Sequence, residues 1–422
     1  MLELNKIKNQ SKSIINNLKK RGIDVSKQIQ LILDLDKKRI ANQQSLDEIL
    51  AESNQIAQKI GLMAKENKFQ NVTKLKSRAS DIKTESKKLI ETGNLIETEI
   101  QSILVQIPNV PHEKVPNGKS ELDNEIILEW GDRNQDPQLL PHWELAEKYN
   151  IIDFKKGAEI TGSGFPLYKG LGAKLQRGLI NFFLDYNTNA GYTEYIPPYF
   201  VNEKSAFNTG QIPDKEGMMY HIKEDNLYVI PTAEVPITNI FNNAKFTLDE
   251  LPVKCTAYSP CFRREAGSYG KDVRGLNRLH QFDKVEIVQI CEPSKSYETL
   301  DLMVEHVSKL LKLLQLEFRI IKLCGGDLGA TSALTYDFEI YAPGQKKWLE
   351  VSSVSNFETY QSNRLNLKYI DKNKQKSLCH TLNGSSLALP RIVAGILEQH
   401  QTSNGINMPE KLLEHLHFNK II

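Results

Sequence analysis

Arg263, Arg264 and Glu265 stand directly after an apolar run ending at Phe262, where a strand would be expected to go on burying side chains. A polar, glycine-containing stretch from Ala266 to Arg278 follows. Leu279, His280, Gln281 and Phe282 then lead into a second apolar run, Val285–Ile290, that holds Glu286. A strand, a basic loop and a returning strand make a hairpin with arginine at its base. A guanidinium there can grip phosphate oxygens in a planar fork, and Phe282 can offer its ring face to a purine. A surface hairpin with a charged rim fits the spacing equally well.

Further clusters shift the balance toward chemistry. Thr232-Ala233-Glu234 follows Ile230-Pro231, Glu350-Val351-Ser352-Ser353 follows a strand ending near Leu349, and the string from Asn383 through Ser385 to Arg391 joins an irregular stretch to a helix. Other chemistries lack their signatures. The sequence contains no Gly-x-x-x-x-Gly-Lys-Ser/Thr phosphate loop, no Gly-x-Gly-x-x-Gly after a strand, no Gly-x-Ser-x-Gly elbow and no His-Glu-x-x-His helix. Gly325, Gly326 and Gly329 read as a turn, and His415 and His417 as solvated side chains rather than metal ligands. The five cysteines are odd in number, widely spaced and free of Cys-x-x-Cys. That excludes a disulfide framework and a thiolate zinc site, so no zinc is expected, and it suits a reducing compartment.

The elements that must position these residues begin at Pro141, where strands and helices alternate. Tyr168–Ala190 reads as a helix and Tyr192–Ile196 as a strand stopped by Pro197-Pro198. Leu227–Ile230, Lys254–Phe262, Gln281–Ile290, Phe318–Leu323 and Thr335–Tyr341 read as strands, with helices at Glu298–Leu314 and Ile392–Gln401. Consecutive strands with short links predict an α+β body, an antiparallel sheet flanked by helices.

The first hundred residues differ in kind. A 3–4 step visits Ile32, Leu35, Leu46, Ile49, Ile56, Ile60 and Met63, with Arg39, Asn42 and Ser53 as polar positions in register. A second run visits Val72, Leu75, Ile82, Leu89, Ile96, Ile100, Ile103 and Ile107, with Gly93 in register. A mean period of 3.5 marks two helices sharing a narrow seam, joined by a turn within Ala64–Asn71. Helices of roughly 34 residues extend about 50 Å, and their other faces are Lys, Gln, Asn, Glu and Ser. Such a pair must stand out as an arm. Residues 1–110 hold 19 Lys and Arg against 13 Asp and Glu, whereas the whole chain of 422 residues has a net charge of only +2. A basic arm on a mildly acidic body suggests a polyanionic partner; a coiled coil that pairs two copies is the alternative. The expected division is residues 1–110 with an arm at about 28–107, a Pro/Asn/Gly-rich linker over 111–140 and a body over 141–422. No run of about 18 apolar residues and no secretory signal occurs, so a cytoplasmic location away from membranes is expected.

Taken together, these strings carry a resemblance. The Phe-Arg-x-Glu hairpin with Phe282 looks like motif 2 of the class II aminoacyl-tRNA synthetases, the segment ending in Arg391 resembles motif 3, and the helix and strand ending at Pro198 resemble motif 1. Thr-Ala-Glu at 232–234, FRREAGSYGKDVRGLNRLHQFDKVEIVQI at 262–290, EVSSVSNFETYQ at 350–361 and TLNGSSLALPR at 381–391 are similar to the bacterial type of seryl-tRNA synthetase. That family also has an N-terminal antiparallel coiled coil, so the resemblance covers essentially the entire chain. The sequence departs from it at Leu334, where a Lys is usual, at Asn363-Arg364, where paired Arg is usual, and at Val354 and Phe357, where Cys often flanks Ser-Asn.

The resemblance implies a serine–tRNA ligase: serine and ATP give seryl-adenylate, and the seryl group moves to tRNA(Ser), and by the same resemblance to tRNA(Sec). It implies that Arg263 bridges the serine carboxylate and the α-phosphate, Arg391 holds the γ-phosphate, Glu265 contacts the adenine amine and Phe282 stacks beneath the ring. Leu279, His280, Gln281, Val351 and Ser352 complete the ATP site, and Glu350 and Ser353 hold Mg²⁺. The serine pocket maps to Thr232, Ala233, Glu234, Arg263, Glu286, Asn383 and Ser385, with the roles of the two glutamates left open. Lys37, Lys38, Arg39, Lys74, Lys76 and Arg78 are the arm's candidate contacts to the long variable arm of the tRNA, and motif 1 implies a homodimer through Gly170–Pro198. Rival readings are another class II enzyme of threonyl or prolyl type, a non-catalytic relative, and a coiled-coil interaction protein. The long arm with the 350–353 string speaks against the first, and retention of Arg263, Glu265, Glu350 and Arg391 against the second. Ordered ATP–Mg²⁺ binding would dismiss the third.

Overall fold

The computed structural model describes residues 1–65, 72–133, 136–265 and 273–422. The turn expected within Ala64–Asn71 and the first part of the loop expected over Ala266–Arg278 therefore fall on residues outside those described. The chain divides into two compact units, residues 2–18 with 23–108, and Met1 and residues 19–22 with 109–422.

The smaller unit is helical: α1 (Leu4–Leu18), α2 (Ser26–Lys65) and α3 (Val72–Leu104). The Asp24 carboxylate accepts from the Ser26 amide at 2.9 Å at the start of α2, satisfying a donor that the helix cannot. Ile32, Leu35, Leu46 and Ile56 of α2 and Ile82 and Ile100 of α3 are buried at positions of the seam expected from the 3–4 step; near the end of α3 Leu104 is buried in place of the expected Ile103. The polar seam positions have a use. Asn42 Nδ2 donates across the pair to the Leu89 carbonyl at 2.9 Å, and a side chain at Gly93 would come within 3.1 Å of that amide. α1 was not anticipated; it buries Ile7, Ile14 and Leu18, and Lys8 pairs with the buried Asp36 of α2 at 2.8 Å.

The larger unit is built on an eight-stranded sheet. In chain order its strands are β1 (Glu125–Trp130), β2 (Thr193–Tyr195), β3 (Val253–Phe262), β4 (Gln281–Cys291), β5 (Phe318–Lys322), β6 (Leu334–Ala342), β7 (Lys347–Asn356) and β8 (His380–Ala388). Their spatial order is β1-β5-β6-β7-β8-β4-β3-β2. Neighbours are antiparallel except β2 and β3, which are parallel. β1 corrects the expected linker over 111–140. Its side chains are mostly exposed, so it carries no burial signal and joins the sheet edge through main-chain pairing with β5. Leu227–Val229 lies in a separate three-stranded sheet with Phe200–Asn202 and His221–Ile222.

Alternation along β4 sorts its side chains between two layers. Val285 and Ile287 enter one large core with Phe183, Val307 and Ile392 from the helices α4 (Leu171–Asn189), α5 (Ser296–Leu313) and α6 (Leu389–Gln399). Phe282, Lys284 and Glu286, offset by one, belong to the other face. β4 is flanked by β3 and β8, with Glu286 opposite Ala257 and Ser385. This register brings segments more than a hundred residues apart beside one another.

Candidate active site

A cleft of about 510 Å³ opens on that other face of the sheet. Its wall includes Thr232, Glu234, Arg263, Glu265, Leu279, Phe282, Glu350, Val351, Ser352, Ser353, Asn383, Ser385 and Arg391, all singled out from the sequence. Ala233, His280, Gln281 and Glu286 are not part of the wall. Ala233 is fully buried. His280 supports the backbone instead: its Nδ1 lies 3.0 Å from the Arg263 carbonyl and 3.1 Å from the Tyr220 hydroxyl. Gln281, one residue out of phase with Phe282, borders a smaller hollow of about 190 Å³.

At one end, the guanidinium of Arg263 lies 5.2 Å from the centre of the Phe282 ring, a cation–π distance. The Arg263 amide donates to the His280 carbonyl at 2.9 Å, tying the two limbs of the hairpin where the arginine leaves the sheet. Glu265 has φ of 48°, a left-handed conformation that costs a non-glycine residue on the order of 1–3 kcal/mol. Its carboxylate pairs with Arg278 of the returning limb. That limb is anchored from below. The Leu276 amide donates to His142 Nε2 at 2.8 Å, so Nδ1 carries the proton and faces Glu398 Oε1 at 2.8 Å, and both side chains are fully buried.

Across the cleft, Arg391 stands in the first turn of α6 behind Pro390, a residue suited to that turn. Its Nη1 donates to the Glu350 carbonyl at 2.6 Å and its Nε to the Asn277 carbonyl at 3.2 Å, with Glu350 Oε2 at 3.8 Å. The guanidinium is thus aimed while part of its edge stays open. Glu350 and Ser353 offer a carboxylate and a hydroxyl at the same wall. Opposite Ser353, on β6, lies Asp337, whose Oδ1 is buried without a hydrogen-bond partner; burial, then the neighbouring Glu350, pushes its carboxyl up. This all-oxygen set fits a hard cation such as Mg²⁺. Among the described residues no group of three or more His, Cys, Asp or Glu suits a metal.

The floor holds two carboxylates. Glu286, 1% exposed, accepts from Thr232 Oγ1 at 2.9 Å and pairs through the same oxygen with the buried Lys284 at 2.6 Å. Asn383 Nδ2 bridges the pair, 3.1 Å from Glu286 Oε1 and 3.0 Å from Glu234 Oε2. Glu234 has no ion pair among the described residues. Burial first, then the Glu286 charge, pushes its carboxyl up to about 7, against the opposing pull of Gln361, Lys284 and Arg263. Lys284, Asn277, Arg278 and Gln361 were not singled out from the sequence. Lys284 was within reach, because it shares the alternation of Phe282 and Glu286.

On the arm, the predicted basic contacts divide. Arg78 pairs with Glu52 at 2.6 Å and Glu85 at 3.2 Å, Arg39 with Asp36 at 2.8 Å, and Lys37 with Asp34 at 3.4 Å. Lys38, Lys74 and Lys76 are exposed. His415 departs from its solvated reading: it packs against Phe182 with Nδ1 3.7 Å from Asp185, while His417 is exposed. The five cysteines are all buried and unpaired, and no helix among the described residues is long and apolar enough to cross a membrane.

Comparison with known proteins agrees along the whole chain. Residues 1–111 match the family described as Seryl-tRNA synthetase N-terminal domain, and residues 219–400 match the tRNA synthetase class II core domain (G, H, P, S and T). The chain is 43% identical to the serine–tRNA ligase of Salinibacter ruber over 100% of its own length and 99% of that relative. Among solved structures it is similar to the Pyrococcus horikoshii seryl-tRNA synthetase complexed with ATP, with a TM-score of 0.92, 31% identity and coverage of 100% and 99%. It is also similar to the cytoplasmic serine–tRNA ligase of Naegleria fowleri in complex with AMP, with a TM-score of 0.88, 26% identity and coverage of 100% and 98%.

The raised carboxyl of Glu234 has a consequence for stability. An ordinary glutamate titrates near 4.5 and this one near 7, so between those values the folded, ligand-free protein holds the proton that the unfolded chain has lost. Stability contributed by this group is therefore present at low pH and lost as pH rises through the window. The unfolding free energy of the native protein relative to Glu234→Ala, measured in urea, should fall by on the order of 1–3 kcal/mol from pH 5 to pH 8. A difference independent of pH would contradict the assignment.

Proposed function

The chain belongs to the seryl-tRNA synthetase family and catalyses the ATP-dependent attachment of serine to tRNA, and from that premise we propose that both steps run in the cleft framed by β3, β4, β7 and β8. In the first step the serine carboxylate attacks the α-phosphorus of ATP in line, the new C–O–P linkage forms and pyrophosphate leaves. A carboxylate is ionised at neutral pH, so no general base is needed. What the site has to supply is orientation and compensation of phosphate charge.

Arg263 bridges the serine carboxylate and the α-phosphate, while Arg391, already aimed by two carbonyls, takes the γ-phosphate. Phe282 gives the adenine a stacking face, and Glu265 accepts from its exocyclic amine once Arg278 yields one carboxylate oxygen. Glu350 and Ser353 would hold a Mg²⁺ carried on the triphosphate, whose charge would further offset that of the phosphates. Glu286 has its charge matched by Lys284 and serves the serine hydroxyl together with Thr232 and Ser385. Glu234, without a cation of its own, takes the serine ammonium. In the second step a hydroxyl of the terminal adenosine of tRNA attacks the adenylate carbonyl and AMP leaves.

The observation that carries this reading is that Arg263, Glu350 and Arg391, from three separate segments, line one cleft with Glu286 directly behind its wall. ATP–pyrophosphate exchange tests it. Serine should support exchange and alanine should fall short by on the order of 10⁴-fold, because alanine leaves buried polar groups unpaired. Arg263→Ala should lose at least about 100-fold. Preference for threonine or proline, or an active Arg263→Ala, would overturn the reading.

We assign the arm to the tRNA, through exposed Lys38, Lys74 and Lys76 and the paired Arg39 and Arg78, which would meet phosphates by sharing their carboxylate partners. Deleting residues 28–107 should leave serine-dependent exchange intact and abolish tRNA charging; charging at the native rate would refute the assignment. The Gly170–Pro198 segment, with Ile196 86% exposed, is the proposed contact with a second copy, and a monomeric mass by light scattering would exclude it.

A further inference from the structure

Behind Glu234, away from the cleft, a hydrogen-bonded file of side chains runs from Thr381 through Gln361 to the carboxylate. Gln361 lies in the short helix Tyr360–Leu365 and is 1% exposed. Thr381 Oγ1 donates to Gln361 Oε1 at 2.7 Å. Gln361 Nε2 donates to Glu234 Oε1 at 2.6 Å and to the Thr209 carbonyl at 3.2 Å. The amide can stand only this way round, because its reversal would set Oε1 against two acceptors. The other oxygen of Glu234 receives Asn383 Nδ2 at 3.0 Å. Both carboxylate oxygens therefore accept N–H donors, an arrangement that matches the ionised carboxylate and fixes its plane.

From this geometry we infer that Gln361 is a positioning residue for amino-acid selection: without touching the substrate, it aims the Glu234 carboxylate and favours its ionised form for the serine ammonium. The inference rests on the reading of Glu234 given above. The charged groups that face Glu234 are Glu286 and Lys284 from β4 and Arg263 from the end of β3. Glu286 opposes ionisation and the two cations assist it, so the Gln361 donor acts on a balance that is already close. Thr381 acts one step further back, by holding the amide in the donating orientation.

Gln361→Met keeps the length of the side chain and removes the donor; Thr381→Val keeps its shape and frees the amide. Both would be compared with the native protein in exchange assays over serine, ATP and pH, with thermal unfolding as a check on folding. For Gln361→Met the KM for serine should rise on the order of tenfold with the KM for ATP unchanged, as expected for a lost hydrogen bond to a charged group. Its acid limb of kcat/KM for serine should move to higher pH by about one unit, because loss of the donor raises the Glu234 carboxyl. Thr381→Val should shift both quantities in the same direction by less, and it decides the matter if Gln361→Met fails to fold. A rise in both KM values together, or an acid limb that stays in place, overturns the inference while leaving the serine assignment standing. Failure of the native protein to exchange with serine removes both.

Discussion

Two carboxylates within reach of one amide nitrogen, Glu234 and Glu286, set the terms for everything around them. Buried like charges at that separation repel, and neither can be left unsolvated without a partner. Glu286 is settled by Lys284 and Thr232. Glu234 is given donors but no cation, and so remains the one acidic group on the floor whose charge is unmatched until a ligand arrives. Under the proposed function, serine answers that deficit from both sides: its ammonium would meet Glu234 and its hydroxyl the already neutralised pair.

The sheet exists in this form because such a floor has to be rigid. β4 contributes Lys284 and Glu286 on one face while Val285 and Ile287 bury themselves on the other, so the acidic floor cannot shift without moving the core. β8 contributes Asn383 and Ser385 in fixed register with β4, and β7 joins β8 on its far side, adding Glu350 and Ser353 to the same wall. Arg391 is held by two main-chain carbonyls, with the Glu350 carboxylate farther off at 3.8 Å, and Arg263 lies over the Phe282 ring, which leaves both able to meet the phosphates that the proposed function assigns to them. The supporting layer explains how irregular segments can carry such groups: the buried His142–Glu398 pair fixes the backbone at Leu276, next to the Asn277 carbonyl that Arg391 grips.

Much of this was legible in the chain itself. Arg263, Glu286 and Glu350 were visible because charge at the end of, or inside, an apolar strand violates the pattern that burial imposes, and Arg391 because it closes a polar string that runs into a helix. The arm was visible because a 3–4 step maintained over thirty residues has few other causes. What escaped has physical reasons too. β1 presents Ile126, Ile127 and Leu128 largely to solvent, so its membership in the sheet is written in main-chain hydrogen bonds and not in side chains. Lys284 was not singled out, because a lysine in a strand carries no burial signal; the pairing of β4 with β3 and β8 is what encloses it. Gln361 is neutral and polar, and its meaning depends on Thr381 and Glu234 arriving from elsewhere. α1 is short, with polar residues interrupting its apolar positions, and gave no sustained period.

The most direct test of the two-carboxylate account is a proton inventory of serine binding. Calorimetric titration of the ligand-free protein with serine at pH 7, in two buffers of different ionisation enthalpy, counts the protons exchanged per site. With its carboxyl pushed up to about 7, Glu234 is partly protonated at that pH, and an ammonium seated against it ionises the remainder, so a fraction of a proton should be released per serine bound. Binding with no proton exchanged, or with uptake, would contradict the account.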